Sequence, residues 1–132
     1  MKQSVLIVDD TTENIDVLEA ILQEDYKIKA ATRGKIALRI AEKSQPDIIL
    51  LDIMMPEMDG IEACEKIRTI KGQENVLIAF FTARGEDYSQ VAGFEAGADD
   101  YITKPVKPKV LVSKVKGLLR RLKSKEVLIL MC

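Results

Sequence analysis

The centre of the chain carries the stretch Ile48-Ile49-Leu50-Leu51-Asp52, in which an unbroken apolar run is followed at once by a carboxylate. An apolar run with no alternating polar positions is typical of a strand covered on both faces, as in a parallel sheet flanked by helices. The carboxylate then lies at the carboxyl end of that strand. In open α/β sheets this is the edge at which ligands bind.

Other strand-like runs of the chain end in the same way, with a polar residue directly after the apolar segment. These residues are Asp9 and Asp10 after Val5–Val8, Thr82 after Val76–Phe81, and Lys104 after the short run Tyr101–Ile102. A weaker run, Lys27–Ala30, alternates between polar and apolar residues and suits the edge of a sheet.

Segments of helical periodicity separate the strand-like runs. Their apolar stripes are Ile15, Leu18, Ile21 and Leu22; Ile36, Ala37, Ile40 and Ala41; Ile61, Cys64 and Ile67; and Leu111, Val115, Leu118 and Leu122. Around Val91 and Phe94 the pattern is poorly amphipathic and predicts a shorter helix. Five β–α alternations with short connections predict right-handed crossovers and an α/β fold, a three-layer α/β/α sandwich in one domain.

Composition narrows the class of protein. The 132 residues carry a net charge of −1, which gives bulk electrostatics no reason to attract nucleic acid or an anionic membrane. No apolar run approaches the roughly 20 residues of a membrane span. The chain has no histidine, which excludes histidine-based zinc sites and nucleophile pairs. Cys64 and Cys132 are far apart, and with no visible signal peptide we expect a reduced, cytoplasmic protein.

The end of the chain is unusual because a basic segment, residues 120–125, precedes the apolar Val127–Met131. We expect the domain to cover residues 1–124 and an apolar tail to cover 125–132. The tail is either an extension of the last helix, a foreign remnant, or a docking segment for a partner or second subunit.

The carboxylates of Asp9, Asp10 and Asp52 meet at one sheet edge if the runs are parallel strands. Two unit charges about 4 Å apart repel by roughly 4 kcal/mol at an effective dielectric of 20, so the group needs a counter-charge. Magnesium prefers such oxygen ligands, whereas zinc favours nitrogen and sulfur. Asp carboxylates also serve as nucleophiles that form aspartyl phosphates. Lys104 and Thr82 would then neutralise and hydrogen-bond a phosphoryl group.

In these motifs the chain resembles the receiver domains of two-component response regulators. The matching segments are Leu6–Asp10, Pro46–Gly60, Phe81–Ala83 and Gly97–Pro105, in order and at matching spacings. The resemblance covers Val5 to about Leu122. It implies a five-stranded parallel sheet of the flavodoxin-like order 2-1-3-4-5, for which a member of this family is the standard example.

The resemblance also implies roles for single residues. Asp52 would be the phospho-acceptor. Asp9 and Asp10 would hold Mg²⁺, with Asp52 and the backbone carbonyl of Met54 as further ligands and Mn²⁺ as an alternative ion.

Four further positions match residues of the family's switch. Lys104 would pair with the phosphoryl group, and Thr82 would move toward it. Tyr101 matches the aromatic residue that changes rotamer with that threonine. The Lys104–Pro105 bond matches one that is usually cis, and cis peptides are essentially confined to proline.

The function implied is a phosphorylation-controlled switch in a two-component phosphorelay, not an enzyme acting on external substrates. A histidine kinase or histidine phosphotransfer protein would phosphorylate Asp52. The signal would pass through the surface of the fourth helix, fifth strand and fifth helix to an output protein or domain. Homodimerisation through that surface is open, and we expect no direct contact with nucleic acid or membrane.

Met54, two residues after Asp52, flanks the place where an attacking water would enter in the family. Its apolar side chain cannot orient that water by a hydrogen bond. We therefore expect slow self-hydrolysis of the phosphoryl group.

Three alternatives remain at this stage. A magnesium-dependent phosphohydrolase could use Asp52 as nucleophile, but haloacid-dehalogenase enzymes carry DxDx[TV] after the first strand, and Met54 replaces the second acid here. A degenerate receiver would bind partners without phosphorylation, although every motif residue is present. A flavodoxin would need a phosphate-cradling loop where Asp9 and Asp10 stand.

Overall fold

Each apolar run of the sequence forms a strand, and each amphipathic segment forms a helix. The computed structural model describes residues 2–82 and 87–131, with 87–90 and 122–131 described by backbone alone. The elements are β1 Ser4–Val8, α1 Thr12–Leu22, β2 Lys27–Ala31, α2 Gly34–Ser44, β3 Ile48–Asp52, α3 Gly60–Ile67, β4 Leu77–Thr82, α4 Asp87–Ala96, β5 Asp100–Thr103 and α5 Pro108–Met131.

The strands form one parallel sheet in the order β2-β1-β3-β4-β5. Val8 of β1 lies beside Leu51 of β3, and Asp52 lies beside Phe81 of β4. Thr82 in turn pairs with Thr103 of β5. This register brings the residues that follow β1, β3, β4 and β5 to one edge of the sheet. The predicted three-layer fold and its strand order are confirmed.

The sheet separates two hydrophobic cores, because side chains of successive strand residues point to opposite faces. In β3, Ile49 and Leu51 face α2 and α3, while Ile48 and Leu50 face α1 and α5. All five residues of β3 are buried, as expected for a central strand covered by helices on both sides. By contrast, most of the edge strand β2 is exposed, in line with its alternating sequence.

Two helices leave large apolar side chains exposed at the surface. In α2 the buried residues are Gly34, Ala37 and Ala41, and Leu38 and Ile40 are partly buried against the same core, whereas Ile36 is 40% exposed. In α4, Val91 and Phe94 are more than half exposed. The fully buried positions of α2 are therefore small residues, and its larger apolar side chains are partly buried or exposed.

The last helix, α5, runs to Met131 without a break at residue 124, where we expected the domain to end. The predicted tail up to residue 131 therefore continues the helix, while Cys132 lies outside the described residues. The boundary at 124 stays a prediction. None of the helices in the described part of the chain has the length and hydropathy of a membrane span.

Cys64 is a core residue of α3. Its thiol is fully buried and donates to the carbonyl oxygen of Ala96 at 3.4 Å. Burial raises the pKa of the Cys64 thiol to about 11. The side chain therefore behaves as a packing residue and not as a reactive thiol.

Arg68, directly after α3, ties three segments together. Its Nε and Nη2 donate to the carbonyl oxygen of Gly97 at 3.2 and 2.6 Å, and its Nη1 donates to the carbonyl of Val76. Its Nη2 also donates to the Asp99 carboxylate at 3.1 Å. The same carboxylate accepts the backbone N–H of Ile78 at 2.9 Å. The start of β4 and the turn before β5 are thereby fixed to the end of α3.

Replacing this arginine should destabilise the fold. We expect Arg68→Ala to lower the free energy of unfolding by about 2–3 kcal/mol, because hydrogen bonds to a charged donor are lost and buried carbonyls are left unpaired. Urea denaturation measures the change. The control is Arg33→Ala, whose ion pair with Glu57 is mostly exposed and should cost less than about 1 kcal/mol. Equal losses for both variants would contradict the role assigned to Arg68.

Candidate functional site

Three carboxylates lie together at the carboxyl edge of the sheet. Asp9 and Asp10 follow β1, and Asp52 is the last residue of the neighbouring β3. One oxygen atom from each lies within 4.8 Å of the others. Asp9 and Asp52 are only 2% and 6% exposed, whereas Asp10 is open to solvent. The sheet register thus places two largely desolvated acids side by side.

Lys104 supplies a positive charge to this cluster. It follows β5, and its Nζ lies 3.2 Å from Asp9 Oδ2 and 3.3 Å from Asp52 Oδ1. Burial alone would lower the pKa of Lys104, but the two carboxylates outweigh it and raise the pKa. The backbone N–H of Lys104 donates to the carbonyl of Thr82 at 2.7 Å, and the Lys104–Pro105 peptide bond is cis. The ammonium group is therefore held between the two buried acids.

The Asp9 carboxylate is fixed by the first turn of α1. Its Oδ1 accepts the backbone N–H of Thr11 at 2.9 Å, and its Oδ2 accepts the side-chain amide of Asn14 at 3.1 Å. Sequence reasoning missed Asn14. The feature that could have identified Asn14 is its position one helical turn after Asp10. Helical side chains tilt toward the N-terminus, so that of Asn14 reaches back to the end of β1.

The Asp52 carboxylate is electrostatically strained. Burial raises its pKa most, the neighbouring Asp9 raises it further, and Lys104 lowers it, so that the pKa reaches about 6. Asp52 is thus mostly ionised at neutral pH, at a cost to the folded state. A further positive charge at the cluster would relieve this cost.

Gly60 allows α3 to start close beneath this edge. A Cβ atom on Gly60 would lie 2.2 Å from the carbonyl oxygen of Asp52, and the Gly60 N–H donates to the carbonyl of Ile53 at 2.8 Å. Asp59 caps the helix by accepting the backbone N–H of Glu62 at 2.8 Å, as the capping-box pattern predicts. The loop between β3 and α3 is thereby tightly folded. Met54 in this loop points outward, with 80% of the residue exposed.

The remaining predicted residues lie in two places. Thr82 ends β4, next to the strand of Asp52, and shares the sheet edge with the acids. Tyr101 is instead packed in the core beside α4, with ring centroids 5.6 Å from Phe80 and 4.9 Å from Phe94. The structure therefore brings Asp9, Asp52 and Lys104 into direct contact, while Tyr101 lies apart from them.

The cluster fits a divalent cation. Three carboxylates and the Lys104 ammonium leave an excess of negative charge among the described residues of the site. The donors are all carboxylate oxygens, which suit a hard cation such as magnesium. The exposed Asp10 leaves the site open to solvent on one side, as needed for an ion that keeps several waters.

A groove of about 570 Å³ opens beside the cluster. Asn14 and Val17 of α1 line one wall, and Lys104, Pro105 and Val106 line the other. The groove reaches Asp9 and Lys104, whereas Asp10 and Asp52 are not among its lining residues.

Charge removal at Asp52 should stabilise the metal-free protein. An Asp with a raised pKa binds its proton more tightly in the folded chain than in the unfolded one, where the pKa is about 3.9. Its contribution to stability therefore falls as the pH rises from about 4 to about 6. We expect Asp52→Asn to gain about 1–2 kcal/mol at pH 7 and little at pH 4.

Urea denaturation in the presence of a chelator measures this difference at both pH values. Asp16→Asn, an exposed change on α1, is the matched control and should change stability little at either pH. An advantage of Asp52→Asn as large at pH 4 as at pH 7 would show that charge is not its cause.

Comparison with known proteins identifies the family. The family model described as "Response regulator receiver domain" matches residues 5–116. The transcriptional regulatory protein SrrA of Staphylococcus aureus is 42% identical over 128 residues, which are 96% of this chain and 52% of SrrA. The chain thus spans about half the length of this curated relative.

Solved structures agree with the sequence match. A CheY-like response regulator receiver domain from Methanospirillum hungatei JF-1 has a TM-score of 0.88 and 32% identity, covering 95% of this chain and 99% of that one. The receiver domain of the sensor histidine kinase PA1611 from Pseudomonas aeruginosa PAO1 has a TM-score of 0.84 and 31% identity, covering 90% and 98%. That structure holds a magnesium ion in its active-site cleft.

The family match decides between the receiver and the hydrolase or flavodoxin alternatives. It covers most of the chain and includes both strands that carry the carboxylates as well as Lys104. The chain belongs to the receiver-domain family of two-component response regulators.

Proposed function

We propose that this domain is a switch that accepts a phosphoryl group on Asp52. The observation that carries the proposal is the buried Asp52 carboxylate, which pairs with Lys104 in a cluster of three acids. Asp9 is less suited as the acceptor because both of its oxygens already accept hydrogen bonds, from Thr11, Asn14 and Lys104. Burial and the neighbouring Asp9 also raise the pKa of Asp52 to about 6, so its carboxylate is more basic than an ordinary aspartate.

The carboxylates of Asp9, Asp10 and Asp52 would hold Mg²⁺, together with the backbone carbonyl of Met54. Mn²⁺ has the same preference for oxygen ligands and is the alternative ion. When bound, the ion supplies charge neutralisation for the phosphoryl oxygens and for the carboxylates. Its binding also offsets the repulsion that raises the pKa of Asp52.

The donor is a phosphohistidine of a histidine kinase or histidine phosphotransfer protein. An Asp52 oxygen forms the new P–O bond while the donor P–N bond breaks, and the released imidazole nitrogen takes up a proton. Lys104 pairs with a phosphoryl oxygen and holds the group in place, which is the main requirement of phosphoryl transfer. The side of the cluster that is open to solvent at Asp10 offers an approach for the donor side chain.

The output is a change on the face formed by α4, β5 and α5. The phosphoryl group adds a charge of about −1.5 to −2 and new acceptor oxygens, which draw in the Thr82 hydroxyl and Lys104. Tyr101 and α4 then shift between two states. The exposed apolar residues Val91, Phe94 and Val110 give this face the character of a docking surface for an output partner or a second copy.

The partners are a histidine kinase or phosphotransfer protein on the input side and an output protein or domain on the other. SrrA is a transcriptional regulatory protein about twice as long, so gene regulation is one output open to this family. We keep the prediction that these 132 residues contact neither nucleic acid nor membrane. Their location in the cytoplasm is also a prediction. The net charge of −1 supports the prediction that concerns nucleic acid and membrane.

Phosphorylation should be detectable by intact mass. Incubation with magnesium and acetyl phosphate should add one phosphoryl group to wild type and none to Asp52→Asn, because the acceptor oxygen is lost. Asp16→Asn should be modified like wild type, and a chelator should abolish the adduct. An adduct of equal yield on Asp52→Asn would overturn the assignment of the acceptor.

The phosphoryl group should be long-lived because Met54 cannot orient water. We expect Met54→Asn to shorten its lifetime several-fold, equivalent to about 1 kcal/mol in the barrier, since an amide can hydrogen-bond the attacking water. Decay is followed by intact mass after removal of the donor. Met54→Leu is the matched apolar control and should keep the wild-type lifetime. Faster decay of wild type than of Met54→Asn would contradict the role of Met54.

A further inference from the structure

Gly93 in the middle of α4 lies against the hydroxyl of Tyr101. A Cβ atom on Gly93 would lie 1.8 Å from Tyr101 Oη and 2.9 Å from its Cζ. It would also lie 2.9 Å from Phe80 Cε2. All three distances are shorter than side chains tolerate. Any residue other than glycine at this position therefore excludes the Tyr101 ring from its present place.

The backbone does not explain this glycine. Gly93 lies inside a regular helix and is not among the positive-φ glycines, which are Gly72 and Gly97 in the described part of the chain. Within a helix, glycine is the least favourable residue apart from proline. Its presence here is accounted for by the space that Tyr101 occupies.

Tyr101 is held firmly in that space. Only 9% of the residue is exposed, and its ring packs against Phe80 and edge-on against Phe94 of α4. The Gly93 backbone is a hydrogen-bond partner of its hydroxyl and lowers its pKa, although burial raises that pKa overall. The position of α4 and the side-chain state of Tyr101 are therefore in direct contact at residue 93.

The sheet register connects this contact to the sheet edge that carries the acids. Phe80 pairs with Tyr101, and two residues further Thr82 pairs with Thr103. Residues two apart on a strand point to the same face, so Thr82, Phe80 and Tyr101 share the face that α4 covers. Thr82 thus lies on the same face of the sheet as the two rings that are packed beneath Gly93.

We propose that Gly93 is the positioning residue that couples the place of Tyr101 to the place of α4. Its missing side chain lets the ring lie under the helix, and a ring in that place fixes how far the helix stands from β4 and β5. The inference rests on the proposed function, since the switch it positions is the one that phosphorylation of Asp52 controls.

The test uses ¹⁹F NMR of the whole 132-residue chain labelled with 3-fluorotyrosine. The chain has three tyrosines, and Tyr101→Phe assigns the resonance of interest. In Gly93→Ala we expect the Tyr101 resonance to leave its wild-type position before any phosphorylation. We also expect it to lose its response to magnesium and fluoroberyllate, used here as a phosphoryl mimic. A Tyr101 resonance that stays at the wild-type position would overturn the proposal.

Gly117→Ala is the matched control, because a Cβ atom at Gly117 of α5 meets no atom within 4 Å. It should leave the Tyr101 resonance unchanged and raise the thermal midpoint. A second variant covers the case in which Gly93→Ala does not fold. The loss of thermal midpoint caused by Gly93→Ala should largely vanish in a Tyr101→Leu background, where the hydroxyl and Cζ are absent. An equal loss in both backgrounds would assign Gly93 to packing against Phe80 and overturn the proposal.

Failure of the proposed function has a different signature. Intact mass of the same wild-type sample shows whether Asp52 takes a phosphoryl group. A missing adduct overturns the switch chemistry, whereas the Tyr101 resonance of unphosphorylated Gly93→Ala still decides the steric coupling.

Discussion

Repulsion among the carboxylates of Asp9, Asp10 and Asp52 is the constraint on which this structure depends. Two of these acids are buried and all three are within 4.8 Å of one another, so the fold holds together groups that would separate if free. Among the described residues of the site, the ammonium of Lys104 compensates only part of this charge. The excess makes the site responsive, because an added cation or phosphoryl group changes the balance of forces at the edge of the sheet.

Hydrophobic burial in the parallel sheet offsets the repulsion among the three carboxylates. The central strand β3 is buried along its whole length, and the neighbouring strands add nearly continuous apolar surface to both cores. Hydrophobic burial of this kind is non-directional and grows with area, so it tolerates local strain at one edge. The close approach of α3 at Gly60 then fixes the end of the strand that carries Asp52.

The sequence predicts most of the fold and the acidic site, because both depend on local patterns. Apolar runs identify the strands, and the residue after each run identifies the edge that carries the acids. Sequence patterns are less informative about residues whose burial or role depends on contacts with other elements. Ile36 belongs to the predicted stripe of α2 but is 40% exposed, whereas Ile40 of the same stripe is partly buried against the core. Neither Arg68 nor Gly93 stands out in the sequence, because their roles depend on carbonyls and a ring that are distant along the chain or lie on other elements.

The separation of the two cores has a consequence for how the domain divides its tasks. Adjacent residues of β5 enter different cores, Tyr101 on the side of α2 and α3 and Ile102 on the side of α1 and α5. A rearrangement around Tyr101 therefore acts first on the core beside α2 and α3, while Ile102 holds the same strand in the opposite core. The sheet stands between the two cores, so a substitution that repacks one of them does not contact the other directly.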